Sequence, residues 1–201
     1  MTDIGQFTGS LVLLDADVLY PIRVCDFILT ASSLRLLARP IASEEVLAEA
    51  QRNVVADRPH LGQQQIERRF QNVRVATDGH DQAIDELLDN ESIVNQKDRH
   101  VLRAAVHHSV DFVVTNDSRL RREITAWIDR RSEAGPLRAA ISADELAAGL
   151  VNESPDEVLT VVQVMSDRFL NPTRSLSETL ASLAKSMPSL RALHSRPNDS
   201  R

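Results

Sequence analysis

Two carboxylates, Asp15 and Asp17, stand at the end of the apolar run in LVLLDADVL. An uninterrupted apolar run of that length suits a strand buried on both faces. The acids therefore occupy the place where the chain leaves a sheet. Two acids at this spacing have two chemical readings. In one, Asp15 attacks a phosphate and Asp17 protonates the leaving group. In the other, they are the first carboxylates of a metal site. A structural reading stands beside both: Asp15 caps the following helix and Asp17 faces water. More acids enlarge the set. Asp117 follows a second apolar run in DFVVTND, and Asp98 opens a helical stretch in NQKDRHVLRAA. Glu45 and Glu49, in SEEVLAEA, lie one turn apart on one helix face. Singly, each has a structural reading too. Asp98 completes a helix N-terminus, where negative charge is favoured; Asp117 caps a helix starting near Ser118; Glu45 and Glu49 are solvated.

The elements that must bring these acids together can be read from periodicity. Strands are expected over 11–14 and 111–115, with a weaker third in RAAIS and a brief one in VRVA. Helices are expected over 22–37, from a Ser43 cap to about 55, and over 63–70, 80–88 and 98–108. Strands alternating with helices imply an α/β fold with a mainly parallel central sheet flanked by helices. In such a sheet the carboxyl ends of the strands share one edge, and ligands bind there. Asp15 and Asp117 belong to that edge. After about residue 140 the texture becomes helical. Three capping boxes follow one another, Ser142 with Glu145, Ser154 with Glu157 and Ser175 with Glu178. Pro155 takes a favoured first-turn position. The expected organisation is an α/β domain over 8–150, a helical appendage over 151–190 and a flexible tail over 191–201.

Bulk properties limit the function. The chain has 201 residues, 42% hydrophobic and 26% charged, which is ordinary for a soluble globular protein. No stretch is apolar enough to span a bilayer and no signal peptide is visible, so no membrane partner is expected. The single cysteine, Cys25, lies in an apolar stretch and reads as a buried thiol of a cytoplasmic protein. A net charge of −6 argues against a protein that coats nucleic acid, and 3% aromatics argue against a base-stacking platform. Contact with nucleic acid would go through phosphates. Arg119, Arg121 and Arg122, with Arg130 and Arg131, form a basic strip beyond Asp117 that suits such contacts. The alternative is a solvated face paired with Glu123, Asp129 and Glu133.

In combination these segments resemble the PIN-domain nucleases, and within them the toxins of VapC-type toxin–antitoxin pairs. LLDADVLYP resembles the opening strand and acid of that family. IASEEVLAEA resembles its second segment, a serine followed six residues on by a metal-binding Glu, which maps onto Ser43 and Glu49. DRHVLRAAVHHSVDFVVTND resembles its third and fourth segments and maps onto Asp98, Thr115 and Asp117. Two departures are visible: Asp17 stands where many members have Asn, and Arg119 where many have a further acid. The resemblance implies a ribonuclease whose catalytic and metal-binding residues are Asp15, Glu49, Asp98 and Asp117. Asp17, Glu45, Asn95, Thr115 and Asn116 would support them. The donors are hard carboxylate oxygens, without clustered His or Cys, and select Mg²⁺ or Mn²⁺ over zinc. The partners implied are an RNA substrate and a cognate antitoxin that inserts an Arg or Lys among the acids and anchors on the helix over 22–37. The apolar helices allow a homodimer. Two other classes compete. A haloacid-dehalogenase-type phosphatase would use Asp15 and Asp17, but its motif needs Thr where this chain has Leu19, and the only lysines are Lys97 and Lys185. A catalytically inactive PIN-type interaction domain would not need the acids at all.

Overall fold

The computed structural model describes residues 6–80, 95–131, 135–170 and 172–194. Three short strands, β1 (Val12–Leu14), β2 (Phe112–Val114) and β3 (Ala139–Ile141), form a parallel sheet in that order. Leu14 pairs with Val114, and Val114 with Ile141. Single bridges from Leu13 to Ile41 and from Ile41 to Asp78 widen the sheet beyond β1. All six residues of β1 and β2 are fully buried, which is why they read as unbroken apolar runs. The fold is mixed α/β, a small parallel sheet flanked by helices.

Each strand hands the chain to a capped helix. Asp15 caps α1 (Ala16–Leu19), Asp117 caps α6 (Ser118–Arg130) and Ser142 caps α7 (Ala143–Glu153). Ser43, next to the Ile41 bridge, caps α3 (Glu44–Asp57) by accepting the Val46 N–H. Strand ends, and therefore helix starts, gather at one edge of the sheet. The remaining helices are α2 (Ile22–Ser33), α4 (Gln63–Ala76), α5 (Arg99–His107), α8 (Pro155–Asp167) and α9 (Leu176–Leu183), with a short 3-10 helix at Pro188–Leu193.

Several elements differ from expectation. VRVA forms no strand and is instead the last turn of α4. Ile66, Phe70 and Val73 bury one helical face, while Val75 is 67% exposed, so the 3.6-residue period outweighs the β-branched composition. The helix expected over 22–37 stops at Ser33. Arg35 turns the chain at φ 66°, and Leu36 and Leu37 re-enter the core after that turn. The helix expected over 80–88 lies outside the described residues except for His80, which is not helical. Of the three capping boxes, those at Ser142 and Ser175 form, but Ser154 makes no capping bond. Its backbone, at φ −144° and ψ 62°, is the joint between α7 and α8.

The residues after 150 share the core of the sheet. One buried apolar cluster runs from Val12 to Leu193. Helix α8 packs along α2, and Arg168 donates to Asp26 (3.0 Å) and to the Thr30 hydroxyl (2.9 Å). One side of α2, the helix expected to anchor a partner, is therefore covered by this chain's own α8, while Ile22 at its start is exposed. Leu193 is 3% exposed, so the segment expected to be a loose tail begins inside a packed 3-10 helix. Among the described residues no helix is long and apolar enough to cross a membrane.

Phe7 and Thr8 form a strap onto α7. Glu153 accepts the Phe7 and Thr8 N–H groups, both at 2.7 Å, and the Thr8 hydroxyl at 2.8 Å. The Phe7 ring stacks on Phe112 with centroids 5.0 Å apart and lies against Gly149. A Cβ at Gly149 would press into that ring. Alanine gains about 1 kcal/mol of helix propensity over glycine, whereas overpacking costs about 1–3 kcal/mol. Because the ring is held on both sides, we expect Gly149→Ala to be net destabilising. Thermal melts should show Tm falling by roughly 2–6 °C. A raised Tm would mean that the strap yields freely.

Candidate functional site

Asp15 is the most buried acid of the set, 8% exposed. Its Oδ1 accepts the Ala16 N–H at 2.7 Å, which closes the first turn of α1. Its Oδ2 accepts the Thr115 hydroxyl at 2.7 Å across the seam between β1 and β2. Burial pushes the Asp15 carboxyl above its usual range, with help from the charge of Glu49, while the Thr115 and Ala16 bonds pull it back. Thr115 is itself fully buried, and its hydroxyl oxygen accepts the Asp117 N–H at 3.1 Å. One side chain thereby couples the ends of both strands. Asp17 accepts the Asn116 N–H at 3.1 Å and lies 3.4 Å from the Thr115 hydroxyl. Burial, and then the neighbouring Asp15, push it up to about 6.

Asp117 does cap α6, and its Oδ1 takes both the Arg119 N–H (2.7 Å) and the Leu120 N–H (3.2 Å). Its other oxygen has no hydrogen bond among the described residues. Asp98 occupies the N-cap position of α5, yet its side chain makes no capping bond. Capping thus accounts for part of Asp117 and for none of Asp98. Burial pushes Asp98 up, followed by the charges of Asp117, Asp15 and Glu123. Glu49 is brought in by α3. It acts on Asp15, and its Oε2 lies 3.5 Å from His100 Nε2. The four acids come from four separate stretches of chain and share one electrostatic field. Glu45, one turn earlier, is exposed and is not among the charges that shift Asp15.

Two participants lacked a sequence signal. His100 neighbours Asp98 on the helix but turns toward α3, with Nδ1 donating to the Lys97 carbonyl at 2.8 Å and Nε2 facing Glu49. Glu123 reads in sequence as a partner for Arg119, and so it is, at 2.7 Å. It also accepts the Asn95 N–H at 3.0 Å and raises Asp98. Only the folded chain brings the 95–98 turn beside α6.

The supporting residues act differently from expectation. Thr115 orients a carboxylate through its side chain. Asn116 and Asn95 offer backbone N–H groups, because the Asn116 side chain is occupied in accepting the Ala143 N–H at 3.2 Å. In the basic strip, Arg119 is paired with Glu123, and Arg121 with Glu145 at 2.7 Å. Arg122 alone of the three is exposed with no ion-pair partner among the described residues. Cys25 is in the core of α2, where burial pushes its thiol up to about 12 and removes it as a nucleophile.

Among the described residues no group of three or more His, Cys, Asp and Glu side chains is already arranged to hold a metal ion. The chemistry of the donors does fit a hard divalent cation. They are carboxylate oxygens; Asp117 is exposed, whereas burial first and neighbouring acids second raise the proton affinity of Asp15, Asp17 and Asp98.

The burial of Asp17 beside Asp15 has a measurable sign. The folded chain raises Asp17 from an ordinary 3.8 to about 6, so it binds this proton more tightly than the unfolded chain does. The resulting stabilisation is full below about pH 4 and is lost as pH rises through about 6. Replacing the acid by an amide of the same shape removes the loss. Without divalent ions, Asp17→Asn should melt higher than the wild type above pH 6, by a few degrees for each ~1 kcal/mol. The gap should close toward pH 4. A constant gap across that window would show that Asp17 carries no such strain.

Comparison with protein-family models, with curated proteins and with solved structures finds no match to this chain. Its function is therefore argued from its own residues and their geometry.

Proposed function

We propose that the protein is a divalent-metal-dependent endoribonuclease of the PIN type, the toxin half of a toxin–antitoxin pair. One observation carries this reading. Acids from four separate stretches meet at the carboxyl edge of a parallel sheet, where the charge of Glu49 raises Asp15 and the charges of Asp117 and Asp15 raise Asp98, in each case after burial. Like charges gathered in a partly desolvated place weaken a fold, and such perturbed groups cluster at functional sites. A bound cation relieves the repulsion, and these four carboxylates are the residues that would hold it. Bound there, Mg²⁺ or Mn²⁺ would supply Lewis-acid polarisation of a phosphodiester and balance the charge of its departing oxygen.

The chain's own residues prepare that chemistry. The Thr115 hydroxyl fixes the rotamer of Asp15, so one acid keeps its direction. Asp117 spends one oxygen on the helix cap and keeps the other for the site. Asp98 spends neither on a cap. His100 stands between Glu49 and the start of α5 and, when protonated, offsets part of the acidic charge felt by Asp15 and Asp98. An antitoxin that inserts an Arg or Lys side chain would meet the same acids and compete with the cation.

The test uses metal-free protein, single-stranded RNA and added Mg²⁺ or Mn²⁺. Cleavage should depend on the cation and stop on chelation. Asp15→Asn, Asp98→Asn and Asp117→Asn should each lower the rate by about a hundredfold or more, the range of a lost electrostatic catalytic group, while remaining folded. RNA left intact with either cation, by a protein whose Tm responds to that cation, would overturn the nuclease reading. The toxin half of the reading has its own test: a short reading frame beside this gene should encode a partner that blocks cleavage.

A further inference from the structure

A groove of about 880 Å³ runs between α3 and α5 and opens at the acids. Glu45, Glu49 and Arg52 line it from α3, and Lys97, Arg99 and Arg103 from the start and body of α5. Arg99 and Arg103 are one helical turn apart on one side of α5. Arg103 lies five residues beyond Asp98, roughly 7 Å along the helix axis. The cations therefore continue away from Asp98 and Glu49 along the same channel. Arg52 and Lys97 are exposed and have no ion-pair partner among the described residues. The Arg99 Nε is buried without a hydrogen-bond partner. Glu44, at the rim, is already held by Arg74 through two bonds of 2.8 Å, so it adds little free negative charge to the channel. By contrast, two of the three arginines of the α6 strip are tied to Glu123 and Glu145.

We propose that the α3–α5 groove binds the sugar–phosphate backbone of single-stranded RNA, with Arg52, Lys97 and Arg99 contacting the phosphates next to the one at the carboxylates. This rests on the nuclease reading and names where its substrate lies. Guanidinium groups suit phosphate because their N–H groups match two oxygens at once. Among the described residues no Phe, Tyr or Trp lines the groove, so binding goes mainly through charge and is largely indifferent to base sequence. The acids repel only the phosphate seated among them until their charge is offset. The cations next to them hold phosphates without a divalent ion.

The experiment measures binding apart from cleavage. A fluorescein-labelled oligouridylate is titrated with the full-length protein in EDTA, by anisotropy, over a series of KCl concentrations. Arg52→Glu combined with Lys97→Glu changes two exposed side chains and leaves the core intact. It should weaken binding about tenfold or more and flatten the plot of log Kd against log salt by roughly 1.4, or 0.7 for each lost contact. Arg99→Gln should flatten it by about 0.7. The combined Arg119→Ala, Arg121→Ala and Arg122→Ala variant should keep the wild-type slope. Groove variants with wild-type affinity and slope overturn the proposal, as does a loss confined to the α6 variant or a wild type that does not bind. The two readings fail separately. Unchanged groove variants with normal Mg²⁺-dependent cleavage sink the groove alone. Salt-sensitive binding lost in the groove variants, with no cleavage under Mg²⁺ or Mn²⁺, sinks the nuclease and leaves an RNA-binding groove.

Discussion

The hydrogen bond from the Thr115 hydroxyl to Asp15, 2.7 Å long and fully enclosed, is the interaction on which the rest of the acidic edge depends. A carboxylate withdrawn from water is costly unless its oxygens are matched by donors. A hydrogen bond to a charged group contributes about 1.5–3 kcal/mol. Thr115 gives its only proton to Asp15 and uses its oxygen to accept the Asp117 N–H. It therefore fixes two acids from neighbouring strands with one side chain. Its β-branched form leaves few rotamers, which makes the fixing firm. The parallel pairing of Leu14 with Val114 sets the height at which this bond can form, because the next residues on the two strands are Asp15 and Thr115.

Around that bond the molecule accepts a local loss of stability. Asp15, Asp17 and Asp98 all sit above their usual range, and each is raised in part by another acid of the cluster. A fold tolerates this only if the surrounding structure over-determines the geometry. Here it does. Both strands that carry the acids are fully buried, each strand end runs straight into a capped helix, and the core extends without a break through the helices after residue 150. The C-terminal helices are thus part of what holds the edge, through α8 on α2 and through Glu153 on the N-terminal strap.

The cations divide by role. Arg39, Arg74, Arg121, Arg138 and Arg168 are paired with acids on other segments of the chain, and Arg119 with Glu123 within α6. Arg69 closes the end of α1 by donating to the Leu19 and Tyr20 carbonyls at 2.6 and 2.8 Å. On a chain with net charge −6, cations left exposed beside the acids are few, and Arg52 and Lys97 in the α3–α5 channel are among them. Charge counted along the sequence pointed to α6. Charge counted after pairing points to the groove.

Much was legible from local chemistry. Buried parallel strands read as unbroken apolar runs, so β1 and β2 and the acids that end them were visible from residues alone. Capping serines followed three residues later by Glu identified the starts of α7 and α9. The third box failed because Ser154 must bend the chain between two helices, and that bend takes its side chain away from the first turn. VRVA misled because Val73 faces the core and Val75 faces water only once α4 has a surface to pack against. The roles of Glu123 and His100 could not be read, since two residues of helix should turn His100 to a different side from Asp98 and no spacing relates Glu123 to the other acids. By itself the sequence determined which residues carry charge and at which strand and helix ends they must appear, because those follow from periodicity and backbone hydrogen bonding within a few residues. Only the tertiary structure decided which acids share a field and which arginines are already paired, because charge acts through distance in space and the chain brings residues a hundred positions apart to within a hydrogen bond.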